Sequence, residues 1–230
     1  TYNQLARKAI EDIHSRRKIP IVVGGSGLYM QILLDGIFEG GGKDSKVRES
    51  LEARIEKSGI DSLYEELKAV DAPAAAKIHP RDAKRIVRAL EVYLTTQRPI
   101  SELRRTRSGL WGEYDIVLYG LDRQRSQVYE RIDRRVEHMF DLGLVDEIKN
   151  LDGRKLSLTA QRIIGVAEVQ GYLKGAYDLE RAQYLIKLHT RHFAKRQWTW
   201  FRREKRLCWI MLPEKEDVLQ SAERILSDDN

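Results

Sequence analysis

Cysteine is almost absent from this sequence, and long apolar runs are missing altogether. Cys208 is the single cysteine among 230 residues, which excludes an internal disulfide and any cysteine-based metal site. Because it lies within the apolar run 207–212, we predict a small buried residue in a reducing compartment. No run of about eighteen apolar residues occurs, so no membrane span is expected. Thr1 leads straight into a polar stretch without signal-peptide features, which favours a cytoplasmic protein.

Histidine is scarce as well, and its five copies have no useful companions. They lack the spacing of a catalytic triad or a metal site, so we interpret them as structural and predict no metal ligand. They are His14, His79, His138, His189 and His192.

Positive charge is in excess: the formal net charge is +6 and the pI is near 9.3. This balance suggests a polyanionic partner without proving one. The C-terminal end is acidic from Glu214 onward, so the excess must be concentrated on particular helices.

The spacing of apolar residues predicts a mainly helical α/β chain. Three short strands are expected, at 21–23, 114–121 and 206–212, and a parallel sheet needs more. We therefore predict an incomplete sheet whose further strands lie upstream. The predicted helices cover 4–17, 28–34, 47–58, 62–70, 82–95, 123–140, a short stretch through 148, 160–174, 179–203 and 215–226.

A glycine-rich turn, Val23-Gly24-Gly25-Ser26-Gly27-Leu28-Tyr29, follows the first predicted strand. Glycines let the backbone turn tightly, and free N–H groups at a helix start can hold an anion. The motif matches neither a Walker loop nor a dinucleotide fingerprint. The Ser26 hydroxyl either caps the following helix or faces a ligand, and spacing alone favours the cap.

Two helices carry arginines and lysines at helical spacing. Positions 81, 84, 85 and 88 are all cations on one side of a helix, an arrangement that can neutralise RNA phosphates. Arg131 and Arg135 lie one turn apart, which suits a diphosphate. In both cases neighbouring acids offer the simpler alternative of ion pairs on a solvated surface.

The segment 190–202 alternates cations with aromatic side chains. Phosphate contacts and stacking surfaces are both required to recognise single-stranded RNA. The alternative is a core helix whose Phe193, Trp198 and Phe201 are buried.

Five motifs, in this order, closely resemble the tRNA dimethylallyltransferase family. They are VGGSGLY (23–29), IHPRDAKRIVRALEVY (78–93), YERIDRRVEHMFDLGLVDEI (129–148), RIIG (162–165) and TRHFAKRQWTWFR (190–202). The resemblance implies transfer of a dimethylallyl group from dimethylallyl diphosphate to the exocyclic amine of the adenosine 3′ of the anticodon. It also implies an ATPase-like P-loop core at 1–40 and 112–230, and a helical tRNA-binding insertion at 41–111.

The resemblance assigns roles to individual residues. Ser26 would be catalytic and would also contact the flipped adenine, while Arg131 and Arg135 would hold the diphosphate. The positions that would contact the tRNA anticodon stem-loop are Arg48, Lys84, Arg85, Ile86, Val87, Arg88, Arg162, Ile163, Ile164, Gly165, Val166 and Ala167. The chain departs from the family at Val166 and Ala167, where an aromatic residue and a cation are usual.

The family's nucleotide-binding phosphate loop and its general base are expected upstream of Thr1, with Mg²⁺ held mainly by that region and by the diphosphate. We therefore expect the chain alone to be inactive, and we expect it to be monomeric. Two alternatives remain: the same transfer to free adenine nucleotides, as in cytokinin synthesis, and a non-catalytic RNA-binding module.

Overall fold

The computed structural model describes residues 2–38, 42–151, 153–213 and 218–227. The chain divides into two compact units, residues 1–116 and 117–230. None of the helices in these ranges is both long and apolar enough to cross a membrane.

The first unit is helical throughout its regular structure. Its helices are α1 (Tyr2–Ser15), α2 (Gly27–Asp35), α3 (Ser45–Ser58), α4 (Ile60–Val70), α5 (Ala72–Ala75), α6 (Ala83–Thr96) and α7 (Ile100–Leu103), with a 3₁₀ turn at Arg104–Thr106.

Aspartates start several helices of this unit. The Asp44 carboxylate accepts from the N–H groups of Lys46 and Val47 at 2.9 and 3.1 Å, and Asp82 accepts from Arg85 N at 3.2 Å. Each bond satisfies an N–H that has no partner inside the helix. The apolar side chains of α3 to α7 then form one core, in which Leu51, Leu63, Leu67, Ile86 and Leu90 are buried.

The second unit combines a small parallel sheet with helices. Its elements are β1 (Leu118–Asp122), α8 (Arg125–Asp141), α9 (Leu144–Lys149), a 3₁₀ turn (Ala160–Arg162), α10 (Val166–Leu173), α11 (Leu179–Phe201), β2 (Leu207–Met211) and α12 (Val218–Ser227). The strands pair in parallel, from Leu118 opposite Leu207 to Asp122 opposite Met211. Val136, Val169 and Ile186 are buried where α8, α10 and α11 pack.

The mostly helical α/β class and the strands near 114–121 and 206–212 are confirmed, whereas the predicted strand at 21–23 is wrong. These residues form neither helix nor strand, and Ile21 and Val23 are 80% and 90% exposed. A strand requires a partner for its N–H and C=O groups, and the two described strands pair with each other. The phosphate loop and the division at 41–111 stay predictions.

The prediction that Cys208 is buried is also wrong. Cys208 is exposed, although it lies within β2. Side chains alternate between the two faces of a strand, so Cys208 shares a face with Ile210, the member of β2 that is buried. This face is therefore covered at Ile210 but not at Cys208, a difference that the apolar run does not reveal. The predicted helix start at Lys215 lies outside the described residues.

Candidate functional site

Ser26 immediately precedes α2 and does not cap it. Its backbone is extended, with φ −91° and ψ 102°, and its side chain makes no capping hydrogen bond. The Ser26 carbonyl accepts from Met30 N at 3.0 Å, so the first backbone hydrogen bond of the helix is formed normally. The Ser26 residue itself is exposed. The capping interpretation, which spacing favours, is therefore not what this geometry shows.

The cationic face of α6 is exposed at only some of its positions. Lys84 and Arg85 are exposed, and Arg85 Nε lies 3.3 Å from an Asp82 carboxylate oxygen. Ile86 and Val87 are 0% and 4% exposed and belong to the core. Of the run 84–87, Lys84 and Arg85 are therefore the residues whose side chains can reach an RNA.

Arg88 and Arg48 meet at a single buried acid, Glu91. Arg48 Nη2 and Arg88 Nη1 each lie 2.8 Å from Glu91 Oε2, and the N–H of Asp44 donates to Oε1 at 2.9 Å. Burial acts to raise the pKa of Glu91, but these hydrogen bonds outweigh it and hold the pKa below the usual glutamate range. A carboxylate that is fully buried thus joins the start of α3 to α6.

The segment Arg162–Ala167 forms one wall of an open cavity of about 240 Å³, and α11 forms the other. The lining residues are Gln161, Arg162, Ile163, Ile164, Ala167, Glu168, His189, His192 and Arg196. Four of the six residues predicted to bind RNA in this segment therefore reach the cavity, whereas Val166 is buried in the core of the unit.

Glu168 lies at the junction of the two walls. Its Oε2 accepts from Gly165 N at 2.8 Å, and its Oε1 is 2.5 Å from His189 Nδ1. Burial acts to raise the pKa of Glu168, yet the hydrogen bonds from His189 and Gly165 prevail and lower it. The Glu168 carboxylate is therefore ionised, and each of its two oxygens has a partner.

Arg131 and Arg135 are both exposed on α8. The neighbouring acids that the sequence offers as partners bind other cations: Glu130 pairs with Arg134 at 3.4 Å, Asp133 with Arg191 at 2.5 Å, and Glu137 with Lys187 at 2.6 Å. Among the described residues no acid pairs with Arg135, so its guanidinium is available to an anion.

The aromatic residues of α11 divide between surface and interior contacts. Phe193 is 45% exposed, and the Arg196 guanidinium lies 5.8 Å from its ring centre. Trp198 instead donates from Nε1 to Asp122 Oδ1 at 2.7 Å, which ties α11 to the end of β1. The alternative of buried aromatic residues is therefore wrong for Phe193 and holds only in part for Trp198 and Phe201, which are half-buried. Stacking of Phe193 on RNA stays a prediction.

Glu91 is one of the neighbouring acids that the ion-pair alternative offers to the cations of α6, and it does pair with Arg88 three positions earlier. Two residues of the cavity, Glu168 and His189, are missing from the sequence-based candidates. Glu168 and His189 are 21 positions apart, and no local pattern connects them.

Comparison with known proteins supports one family. The model of the IPP transferase family matches residues 1–204. The chain belongs to this family. It is 44% identical over 226 residues to the tRNA dimethylallyltransferase of Thermotoga maritima, covering 97% of this chain and 72% of that protein. It is 38% identical over 218 residues to the tRNA dimethylallyltransferase of Natranaerobius thermophilus, covering 94% and 65%.

Solved structures of the family have the same fold. The full-length tRNA isopentenylpyrophosphate transferase of Bacillus halodurans matches with a TM-score of 0.64 and 33% identity, over 99% of this chain and 72% of that one. A eukaryotic dimethylallyltransferase acting on tRNA matches with a TM-score of 0.75 and 27% identity, over 99% and 60%. The chain thus spans roughly two thirds of the length of these family members.

Proposed function

We propose that this chain acts in the transfer of a dimethylallyl group from dimethylallyl diphosphate to the exocyclic amine of the adenosine 3′ of the anticodon in tRNA. The observation that carries the proposal is the 44% identity, over nearly the whole chain, to a protein named tRNA dimethylallyltransferase. The structural match to a dimethylallyltransferase acting on tRNA supports the choice of tRNA over a free nucleotide.

In this proposal two surfaces bind the tRNA anticodon stem-loop. Lys84 and Arg85 contact phosphates directly, because their side chains are exposed on α6. The cavity beside Arg162–Ala167 supplies the second surface, with cations on both of its walls. Arg48 and Arg88 add charge while they remain bound to Glu91. The helical region 41–111 then serves as the tRNA-binding insertion, and the enzyme acts as a cytoplasmic monomer.

The reaction joins the adenine amine nitrogen to the allylic carbon as the bond from that carbon to the diphosphate oxygen breaks, and the amine gives up one proton to a general base. An adenine stacked in the anticodon loop cannot reach an enclosed electrophile, so it must be flipped out first. We assign the Ser26 hydroxyl to orienting the amine, because that hydroxyl is exposed and makes no capping bond. Arg135, and Arg131 beside it, would take up the charge of the departing diphosphate.

Mg²⁺ is expected with a diphosphate substrate. Within the described residues, however, no three histidine, cysteine or acidic side chains come together as ligands would. We expect the diphosphate and water to supply most of the ligands of the ion, and no step above is assigned to it.

Charge reversal on α6 tests the proposal. Lys84→Glu with Arg85→Glu should weaken tRNA binding and lower the slope of log Kd against log salt by about 0.7 to 0.9 for each phosphate that the variant no longer neutralises. Lys8→Glu with Lys57→Glu changes the net charge equally at exposed positions of α1 and α3 and should leave the slope nearly unchanged. Equal slopes for both variants would exclude α6 as an RNA-binding surface.

A further inference from the structure

Glu168 holds two groups that lie on opposite walls of the cavity. One carboxylate oxygen accepts the N–H of Gly165 on the loop wall, and the other contacts Nδ1 of His189 on α11. The Glu168 main chain is also fixed, because its carbonyl accepts from the Tyr177 hydroxyl at 2.8 Å. Glu168 itself is 7% exposed, so it is poorly placed to bind RNA directly.

We propose that Glu168 is a positioning residue for tRNA binding: it fixes the turn Arg162–Ala167, and His189 in turn fixes Glu168. This inference rests on the proposed function, since it concerns how the same cavity binds RNA. It assigns a role to two residues that lie outside the predicted RNA-binding run.

The turn requires such an anchor because of its backbone. Gly165 has φ +111°, a conformation that residues with a side chain rarely adopt. Its N–H is directed at the Glu168 carboxylate in a buried setting, and a buried N–H without an acceptor is costly. Loss of the carboxylate would therefore release the turn that places Arg162 and Ile163 at the cavity.

His189 adds the second connection. α11 carries His189, His192 and Arg196 on the face that lines the cavity, so the contact from His189 to Glu168 sets the loop wall against this face of α11. His189 is half exposed, so a substitution at this position can be made without opening the core of the unit.

The titratable groups around the pair are either basic residues or acids bound elsewhere. Arg162, His192 and Arg196 share the cavity with the pair. On the neighbouring α8, Asp133 is bound to Arg191 and Glu137 to Lys187. Glu168 is the acid among the residues that line the cavity, so His189 meets no competing acid along that lining.

Two substitutions at Glu168 test the anchor. Glu168→Gln keeps one oxygen that can accept the Gly165 N–H, so its Kd for tRNA should stay within about twofold of the wild-type value. Glu168→Ala leaves the Gly165 N–H without an acceptor and His189 without its partner, so its Kd should rise roughly tenfold.

His189→Asn is the matching second variant. Asparagine keeps a donor that can reach Glu168, so His189→Asn should weaken tRNA binding less than His189→Ala does. Combined with Glu168→Ala, His189→Ala should add little further loss, because both substitutions break the same contact. Glu204→Gln is the control, because Glu204 binds Arg206 in the same unit and is not among the cavity residues; it should alter thermal stability without altering tRNA affinity.

Failure of this inference differs from failure of the proposed function. A wild-type chain that binds no tRNA contradicts the proposed function. Hydrogen exchange at the Gly165 N–H still reports the anchor, and it should be faster in Glu168→Ala than in Glu168→Gln or the wild type. Equal Kd values for Glu168→Ala and Glu168→Gln overturn the positioning role.

Discussion

The Ser26 hydroxyl does not cap α2. A substitution at this position can therefore change the rate of prenyl transfer without changing the stability of the helix. Ser26→Ala should change the free energy of unfolding by less than about 0.5 kcal/mol, because no side-chain hydrogen bond is removed. The single-turnover rate of prenyl transfer should fall by about ten- to a thousandfold if the hydroxyl orients the amine.

Ser26→Thr keeps the hydroxyl and serves as the control, with a rate close to that of Ser26. Because the chain spans roughly two thirds of the length of the family members it matches, the rate is best measured on protein of their full length. A Ser26→Ala protein that is unstable yet fully active would show that the hydroxyl is structural.

Glu91 should make stability depend on pH, and the sign follows from the lowered pKa. The folded state binds its proton less tightly than the unfolded state does, so the stabilisation is present above the ordinary glutamate pKa of about 4.3. It disappears as pH falls through the lower folded pKa. Glu91→Gln should cost on the order of 3 kcal/mol at pH 7, since it breaks a buried ion pair.

The cost of Glu91→Gln should therefore shrink in acid, which urea unfolding between pH 3 and pH 7 would measure. Glu102→Gln removes a comparable carboxylate from an exposed pair with Arg98 and should cost less than about 1 kcal/mol at any pH. A constant difference between wild type and Glu91→Gln would contradict the argument.

The end of α2 contacts the segment 108–111 through the backbone, and two glycines permit this approach. Leu110 N donates to Leu33 O at 3.0 Å and Trp111 N to Leu34 O at 2.9 Å. A Cβ on Gly109 would lie 2.1 Å from the Leu34 carbonyl oxygen, and one on Gly36 equally close to Ser108 O. Neither position can accept a side chain unless the two segments separate.

Gly109→Ala should accordingly destabilise the first unit by about 3 kcal/mol, since a rigid backbone contact must give way. Gly42→Ala is the control, because nothing lies within 4 Å of a Cβ there, and it should have almost no effect. Thermal unfolding followed by circular dichroism compares the two. Equal melting temperatures would mean that the segments separate at little cost.

Across the chain as a whole, apolar periodicity predicts the helices well because each helix carries its own repeating pattern. The core face of α6 follows directly from the spacing of Ile86 and Leu90, and both are fully buried. The strand predicted at 21–23 fails for the opposite reason, since a strand depends on a partner that its own residues do not specify.

The candidate site also combines features that the local sequence predicts with features that depend on packing. Lys84 and Arg85 could be identified from the charge pattern, because exposed cations on one helix face are visible in sequence. The charge of Arg88 alone does not reveal its role. The role depends on Glu91, because this carboxylate is buried and binds the Arg88 guanidinium. The link between Glu168 and His189 exists only once α10 and α11 pack together.

The parallel pairing of β1 with β2 has a consequence for the order of folding. Leu118 and Leu207 are partners in the sheet, yet the whole of α8 to α11 lies between them in the chain. Loop closure over such a separation is slow compared with contacts between neighbouring helices. During synthesis, α3 to α7 can assemble while later residues are still being added. The sheet cannot form until β2 has been synthesised. The unpaired backbone groups of β1 are therefore exposed to other nascent chains for the longest time.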